Sequence, residues 1–102
     1  MFRIAQCAAE HGVAFSPHNP SGPVCTWHSW QVALAAPECA MLELQFDESP
    51  MYDSLTQGVD LQPHRGALGV PQPDQQLCLN LDLLRAHPYQ AVPPGIETLL
   101  NR

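Results

Sequence analysis

Gly12-Val13-Ala14-Phe15-Ser16-Pro17-His18-Asn19-Pro20-Ser21-Gly22-Pro23-Val24 is the stretch on which the architecture turns. Val13 to Ser16 is a compact apolar run, and Pro17, which has no N–H to offer a sheet ladder, stops it. The pattern predicts a short buried strand that delivers His18 at its carboxyl end. From Asn19 to Pro23 the prolines fix φ and the glycine permits a tight path, with Pro23 suited to the first turn of a helix and Ser21 or Gly22 near its cap. Val24, Trp27, His28, Gln31, Leu34 and Ala35 then recur at helical spacing until Pro37. Upstream, Ile4, Cys7, Ala8 and His11 do the same, and Gly12 sits where a helix ends on a left-handed residue, so a helix is predicted over 3–11.

Met41-Leu42-Glu43-Leu44-Gln45-Phe46 alternates as a strand does, with Leu42, Leu44 and Phe46 on one face and Met41, Glu43 and Gln45 on the other. The order helix, strand, helix, strand implies parallel strands joined by a right-handed crossover. Such strands need cover on both faces. His18 and Glu43 fall at the carboxyl ends of the two strands, 25 positions apart. If the strands are neighbours, about 4.7 to 4.9 Å separates their backbones, and an imidazole and a carboxylate face one cleft. In α/β sheets and barrels that end is where sites form. Histidine titrates near neutrality and moves protons; a carboxylate accepts hydrogen bonds or orients a partner. By spacing alone, the same residues also fit a capped histidine and an ordinary surface glutamate.

Composition sets the limits. At 102 residues the chain is one small domain, which excludes a multidomain enzyme. Four Lys+Arg, all arginine, against ten Asp+Glu give a net charge of −6. Nucleic acid and anionic membrane surfaces are poor partners for such a surface. No run approaches the ~20 apolar residues of a membrane helix, and the amino terminus lacks the unbroken apolar stretch of a signal peptide. The expectation is a soluble, cytoplasmic protein. Cys7, Cys25, Cys39 and Cys78 form no Cys-x-x-Cys, and three of them lie in core-like runs, so reduced, buried thiols are expected. A small metal-binding protein built on five histidines and four cysteines lacks any ligand-spaced pair.

Residues 47 to 102 are looser in texture and hold seven of the eleven prolines. A helical turn or two is expected within 50–57, short extended pieces at 68–70 and 77–81, a helical turn at 82–86 and a terminal helix at 95–100. Val92-Pro93-Pro94-Gly95 reads as a turn or linker. His11 near a helix carboxyl end favours the dipole, while His28, His64 and His87 read as solvated or capping residues. Trp27 and Trp30, three apart on one helix, read as packing, and Asp47-Glu48 as a solvated rim.

The Pro-His-x-Pro-x-Gly-Pro stretch at 17–23, the Ala-containing helix after it and Leu42-Glu43 resemble the seventh and eighth barrel strands of the enolase superfamily. The likeness is to its mandelate racemase/muconate lactonizing subgroup, especially acid-sugar dehydratases of the galactonate dehydratase type. It covers residues 1 to about 46 best. Gly66-Ala67-Leu68-Gly69-Val70-Pro71 looks like the family's returning segment, and Asp82 like the acidic residue after it. The fold class implied is α/β: the last two strands and helices of a TIM-type (β/α) barrel over 1–46, then an irregular carboxy-terminal segment, 47–102, that packs back on barrel and capping domain.

The chemistry implied is α-proton abstraction from a carboxylate substrate, with magnesium stabilising the ene-diolate, as is general in this superfamily. By resemblance His18 is the seventh-strand general acid/base, protonating a departing hydroxyl, and Glu43 hydrogen-bonds substrate or intermediate at the eighth. Asn19 and Ser21 only shape the loop. Three features depart from the family. Its carboxylate metal ligands and second-strand lysine have no counterparts, since the chain contains no lysine. Its sixth-strand aspartate, the partner of the histidine, is absent. Its Pro-Gly-Leu-Gly turn is replaced by Pro73-Asp74-Gln75-Gln76-Leu77-Cys78.

A complete (β/α)₈ barrel takes about 250 residues, so the expectation is the carboxy-terminal fragment of a magnesium-dependent sugar-acid dehydratase. The fragment alone would bind no Mg²⁺ and turn over nothing. Its substrate would be a sugar acid or other carboxylate, and its partner the missing amino-terminal barrel portion or a second copy. A racemase or epimerase fragment, or a non-catalytic remnant that only associates, are the competing readings. Charged residues are 14% of the chain, against about 25% in an ordinary domain, which fits apolar faces made to be covered. Light scattering is therefore expected to find the isolated chain associated; a monodisperse monomer with a closed core contradicts this.

Overall fold

The computed structural model describes residues 1–45 and 49–89. Helix α1 is Phe2–Glu10. It ends on Gly12, whose φ is 64°. Gly12 N–H donates to Ala9 O at 3.1 Å and Val13 N–H to Ala8 O at 2.9 Å, the paired closure that satisfies a helix's last carbonyls and requires a left-handed residue. His11 Nδ1 lies 2.9 Å from the Cys7 carbonyl; a carbonyl only accepts, so Nδ1 carries the proton and caps a helix-terminal oxygen.

Helix α2 is Gly22–Ala35, with Pro23 in its first turn. Its buried residues are Pro23, Thr26, Ser29 and Trp30. This differs from the face marked by hydrophobic spacing, for Val24 and Leu34 are 40% and 51% exposed. The inward stripe carries small and hydroxylated side chains that admit close approach and hydrogen bonding, which apolar periodicity does not register. Trp27 and Trp30 meet edge to face, centroids 5.6 Å apart, as packing partners do.

The extended segments on either side of α2 run parallel. Phe15 N–H donates to Glu38 O and Ala40 N–H to Phe15 O, both at 2.9 Å, forming a parallel bridge between Phe15 and Cys39. Ser16 Oγ adds a bond to Met41 O at 3.1 Å. The parallel relation follows the sequence reading, but the contact is one bridge rather than a ladder, and Val13 is 55% exposed, so the first segment is not a buried strand. Phe46 lies outside the described residues, as do Asp47-Glu48 and residues 92–100.

Beyond residue 48 the chain forms a 3-10 turn, Tyr52–Ser54, and a short antiparallel pair, β1 (Thr56–Gln57) with β2 (Cys78–Leu79). Between them Arg65 and Gly66, at φ 56° and 80°, make a two-residue reversal closed by His64 N–H to Ala67 O at 2.8 Å and its reciprocal at 3.1 Å. Helix α3, Leu81–Ala86, is capped by Asn80, whose Oδ1 accepts from Leu83 N–H at 3.2 Å. The molecule is thus a small mixed α/β assembly. No helix among the described residues is long and apolar enough to cross a membrane.

Among the described residues the buried apolar side chains are Ala5, Trp30, Ala36 and Leu61. Phe2, Ile4, Met41, Val70 and Leu81 are all exposed. The four thiols are free, but Cys7 and Cys78 are exposed and Cys25 and Cys39 half-buried. They are not the core thiols that their apolar surroundings in sequence suggest, because α1 and β2 leave those faces open.

Two glycines set turn geometry for different reasons. An added Cβ at Gly12 meets nothing within 4 Å, so Gly12→Ala is expected to cost about 1 kcal/mol through φ alone. At Gly58 (φ 88°) a Cβ would stand 2.3 Å from the Gln76 carbonyl oxygen, and Gly58→Ala is expected to cost more than Gly12→Ala in chemical denaturation. Equal losses would show that the approach of 58 to 76 does not hold the β1–β2 pair.

Candidate functional site

The parallel register carries both chains past the bridge to the same end. There His18 Nδ1 lies 2.7 Å from Glu43 Oε2. A carboxylate only accepts, so Nδ1 is the protonated nitrogen and Nε2 is left as the outward atom; it makes no hydrogen bond among the described residues. The two residues singled out by spacing are therefore brought into direct contact, their side chains 77% and 48% exposed. Glu43 Oε2 also accepts from the main-chain N–H of Asn19 at 3.3 Å, and Oε1 makes no hydrogen bond among the described residues.

The His18 hydrogen bond is the chief cause that holds the Glu43 carboxyl below its ordinary value of 4.5, helped by the Asn19 N–H and opposed by partial desolvation. The pair has no closed wall around it. Water reaches both groups, so its Coulombic energy is screened, and its value lies in orientation of the ring rather than in stability.

Asn19, assigned only a loop-shaping role by resemblance, is buried, 1% exposed. Its Nδ2 donates to Thr26 Oγ1 at 2.8 Å and to the Glu43 carbonyl at 2.9 Å. Thr26 also donates to Gly22 O at 3.2 Å and lies 2.6 Å from Tyr52 Oη. Gln45 caps α2 from across the fold, its Oε1 accepting from Gly22 N–H at 2.9 Å, while the side chain of the N-cap Ser21 makes no capping hydrogen bond. Glu43 and Gln45 thus both reach the 18–22 loop, as alternation along 41–45 implies. Asn19, Thr26 and Tyr52 escaped sequence reading because each is a neutral polar residue in an unrelated segment. The one available signal was Thr26 on the small-residue stripe of α2.

A second imidazole-carboxylate contact, His64 Nε2 to Asp60 Oδ2 at 3.2 Å, is exposed and local. Asp60 is lowered first by the Gln62 N–H and then by His64. This is the solvated role expected of His64. Helix-end and surface positions likewise account for His11, His28 and His87.

A parallel pair flanked by helices, with an imidazole and a carboxylate at its carboxyl end, is the layout of an α/β domain whose site sits beyond the strand ends. A family model described as enolase C-terminal domain-like matches residues 1–75, and the chain belongs to that family. Searches among curated proteins and among solved structures found no match. A divalent cation, which the family resemblance implies, finds no donor set here: among the described residues no three His, Cys, Asp or Glu side chains converge to hold a metal ion.

The lowered carboxyl fixes the sign of a pH effect. A carboxylate with a depressed folded-state pKa adds stability above its unfolded pKa and loses it as pH falls through the folded one. By ¹³C NMR, Glu43 is expected to titrate below 4.5, and His18→Asn to move its midpoint upward. An unchanged midpoint in that variant would show that the contact does not hold the carboxylate.

Proposed function

We propose that residues 1–45 supply the seventh- and eighth-strand half of an enolase-superfamily active site, in which His18 is the general acid/base and Glu43 its orienting carboxylate. The supporting observation is the 2.7 Å bond from Nδ1 to Glu43 Oε2, which commits the ring to one tautomer and turns Nε2 outward. In the neutral ring Nε2 is the base; in the protonated ring Nε2–H is the acid. Glu43 steadies the imidazolium through Oε2 and keeps Oε1 for a substrate hydroxyl. That division modifies the role implied by resemblance, in which the carboxylate serves substrate alone.

The parent reaction on this reading is dehydration of a sugar acid: His18 Nε2 takes the α-proton, and the resulting Nε2–H protonates the β-hydroxyl as it departs as water. Mg²⁺ and the groups that hold it would come from the remainder of a (β/α)₈ barrel, supplied by another polypeptide segment. The exposure of both side chains supports this, since a site open to water lacks the walls that strengthen electrostatic interactions. In racemisation or epimerisation no hydroxyl departs: Nε2 serves one face of the α-carbon, and a second acid on the opposite face, supplied by the remainder of the barrel, delivers the new proton there.

The purified chain alone, with Mg²⁺ and galactonate or gluconate, is expected to give no dehydration. Combined with a barrel portion carrying the lysine and three carboxylate ligands, it is expected to restore turnover, and His18→Asn to reduce that turnover about 10²- to 10⁴-fold. Solvent deuterium entering the α-carbon without loss of water would favour the racemase reading. Association without either reaction would favour a non-catalytic remnant. Turnover by the purified chain alone that disappears in His18→Asn would overturn the split-site account.

A further inference from the structure

We infer that Asn19 is the positioning residue of this site: buried, with its side chain bonded to α2 and to the second extended segment, it clamps Glu43 at its main-chain carbonyl and its carboxylate and so holds the carboxylate against His18. The clamp is read from geometry alone; only its service to catalysis rests on the reading above.

An exposed ion pair has little to fix it. Water competes for both partners, and ordering two side chains costs entropy. His18 and Glu43 are such a pair, at 77% and 48% side-chain exposure, yet they meet at 2.7 Å. Asn19, the residue after His18, is 1% exposed. Asn19 N–H reaches Glu43 Oε2 at 3.3 Å and its Nδ2 reaches Glu43 O at 2.9 Å, so one residue grips both ends of Glu43.

Proton accounting makes the grip directional. The Thr26 hydroxyl has one proton, which goes to Gly22 O; it therefore accepts from both Asn19 Nδ2 and Tyr52 Oη–H. The two Asn19 amide protons are then committed to Thr26 and to the Glu43 carbonyl. Flipping the amide would set its oxygen against that carbonyl, two acceptors facing each other, so the orientation is unique. Asn19 Oδ1 is buried without a hydrogen-bond partner among the described residues, so the position uses the amide as a donor. Through Thr26 and Tyr52 the clamp is tied to α2 and the 3-10 turn. Among the described residues the groups that hydrogen-bond the Glu43 carboxylate are the His18 ring and the Asn19 main-chain N–H.

The test is NMR titration of the full chain. In the wild type the Asn19 main-chain amide proton is expected to shift with the Glu43 carboxyl midpoint. Asn19→Ala is expected to raise that midpoint toward 4.5 and to abolish the response of the His18 ring signals to Glu43. Tyr52→Phe removes a bond from the same network without touching the clamp, and is expected to lower the thermal midpoint while leaving the Glu43 midpoint in place. The inference falls if Asn19→Ala leaves Glu43 and its coupling to His18 unchanged, or if Tyr52→Phe moves Glu43 as far as Asn19→Ala does. Should Asn19→Ala fail to fold, the wild-type amide decides: titration in step with Glu43 supports the clamp, and an unresponsive amide overturns it. Absence of turnover in the complemented barrel with the clamp intact would sink the proposed function and leave the clamp standing. The reverse pattern would sink the clamp alone.

Discussion

The N–H and C=O of Phe15 bond to the main chain on either side of Cys39, and the geometry of the site follows from that register. Parallel backbones run in one direction, so residues a few positions beyond the bridge emerge at the same end. Proline at 17 ends the first segment just where His18 must leave it. A shift of one residue in either segment would turn Glu43 to the opposite face, because side chains alternate with a period of two. With a single bridge between the two segments among the described residues, the register needs side-chain help, which Ser16 gives at Met41 and Asn19 at Glu43.

That help explains why the inward face of α2 carries hydroxyls beside Pro23 and Trp30. Thr26 and Ser29 are fully buried on a helix whose more apolar residues, Val24 and Leu34, look outward. A face lined by hydroxyls can satisfy Asn19 and Tyr52 where an aliphatic face would strand their donors. The cost is a small apolar core. Trp30 and Leu61 are its large members among the described residues, while Phe2 and Ile4 of α1 and Met41 of the second extended segment are left at the surface. Membership of the enolase C-terminal domain-like family gives those faces a natural context, since parallel strands and their helices are ordinarily covered on both sides.

Local signals in the sequence were strong wherever one residue type has one job. Gly12 ended α1 and Pro23 began α2, each through backbone requirements that hold in any tertiary setting. Apolar spacing on α2 was a poorer guide. Periodicity reports which residues are hydrophobic, while burial depends on what else packs against the helix. The cysteines misled for the same reason: an apolar neighbourhood in sequence is not a covered one in space.

By itself, the sequence determined the helix boundaries, the parallel sense of the two segments and the convergence of His18 and Glu43, because proline, glycine and alternation act over a few residues and chain direction does the rest. Only the tertiary structure decided which nitrogen of His18 is protonated, that Asn19 holds Glu43, and that Gln45 caps α2. Those outcomes require donors and acceptors from segments up to 25 positions apart to meet at hydrogen-bonding distance, and no spacing along the chain records whether two such groups meet with a proton to share.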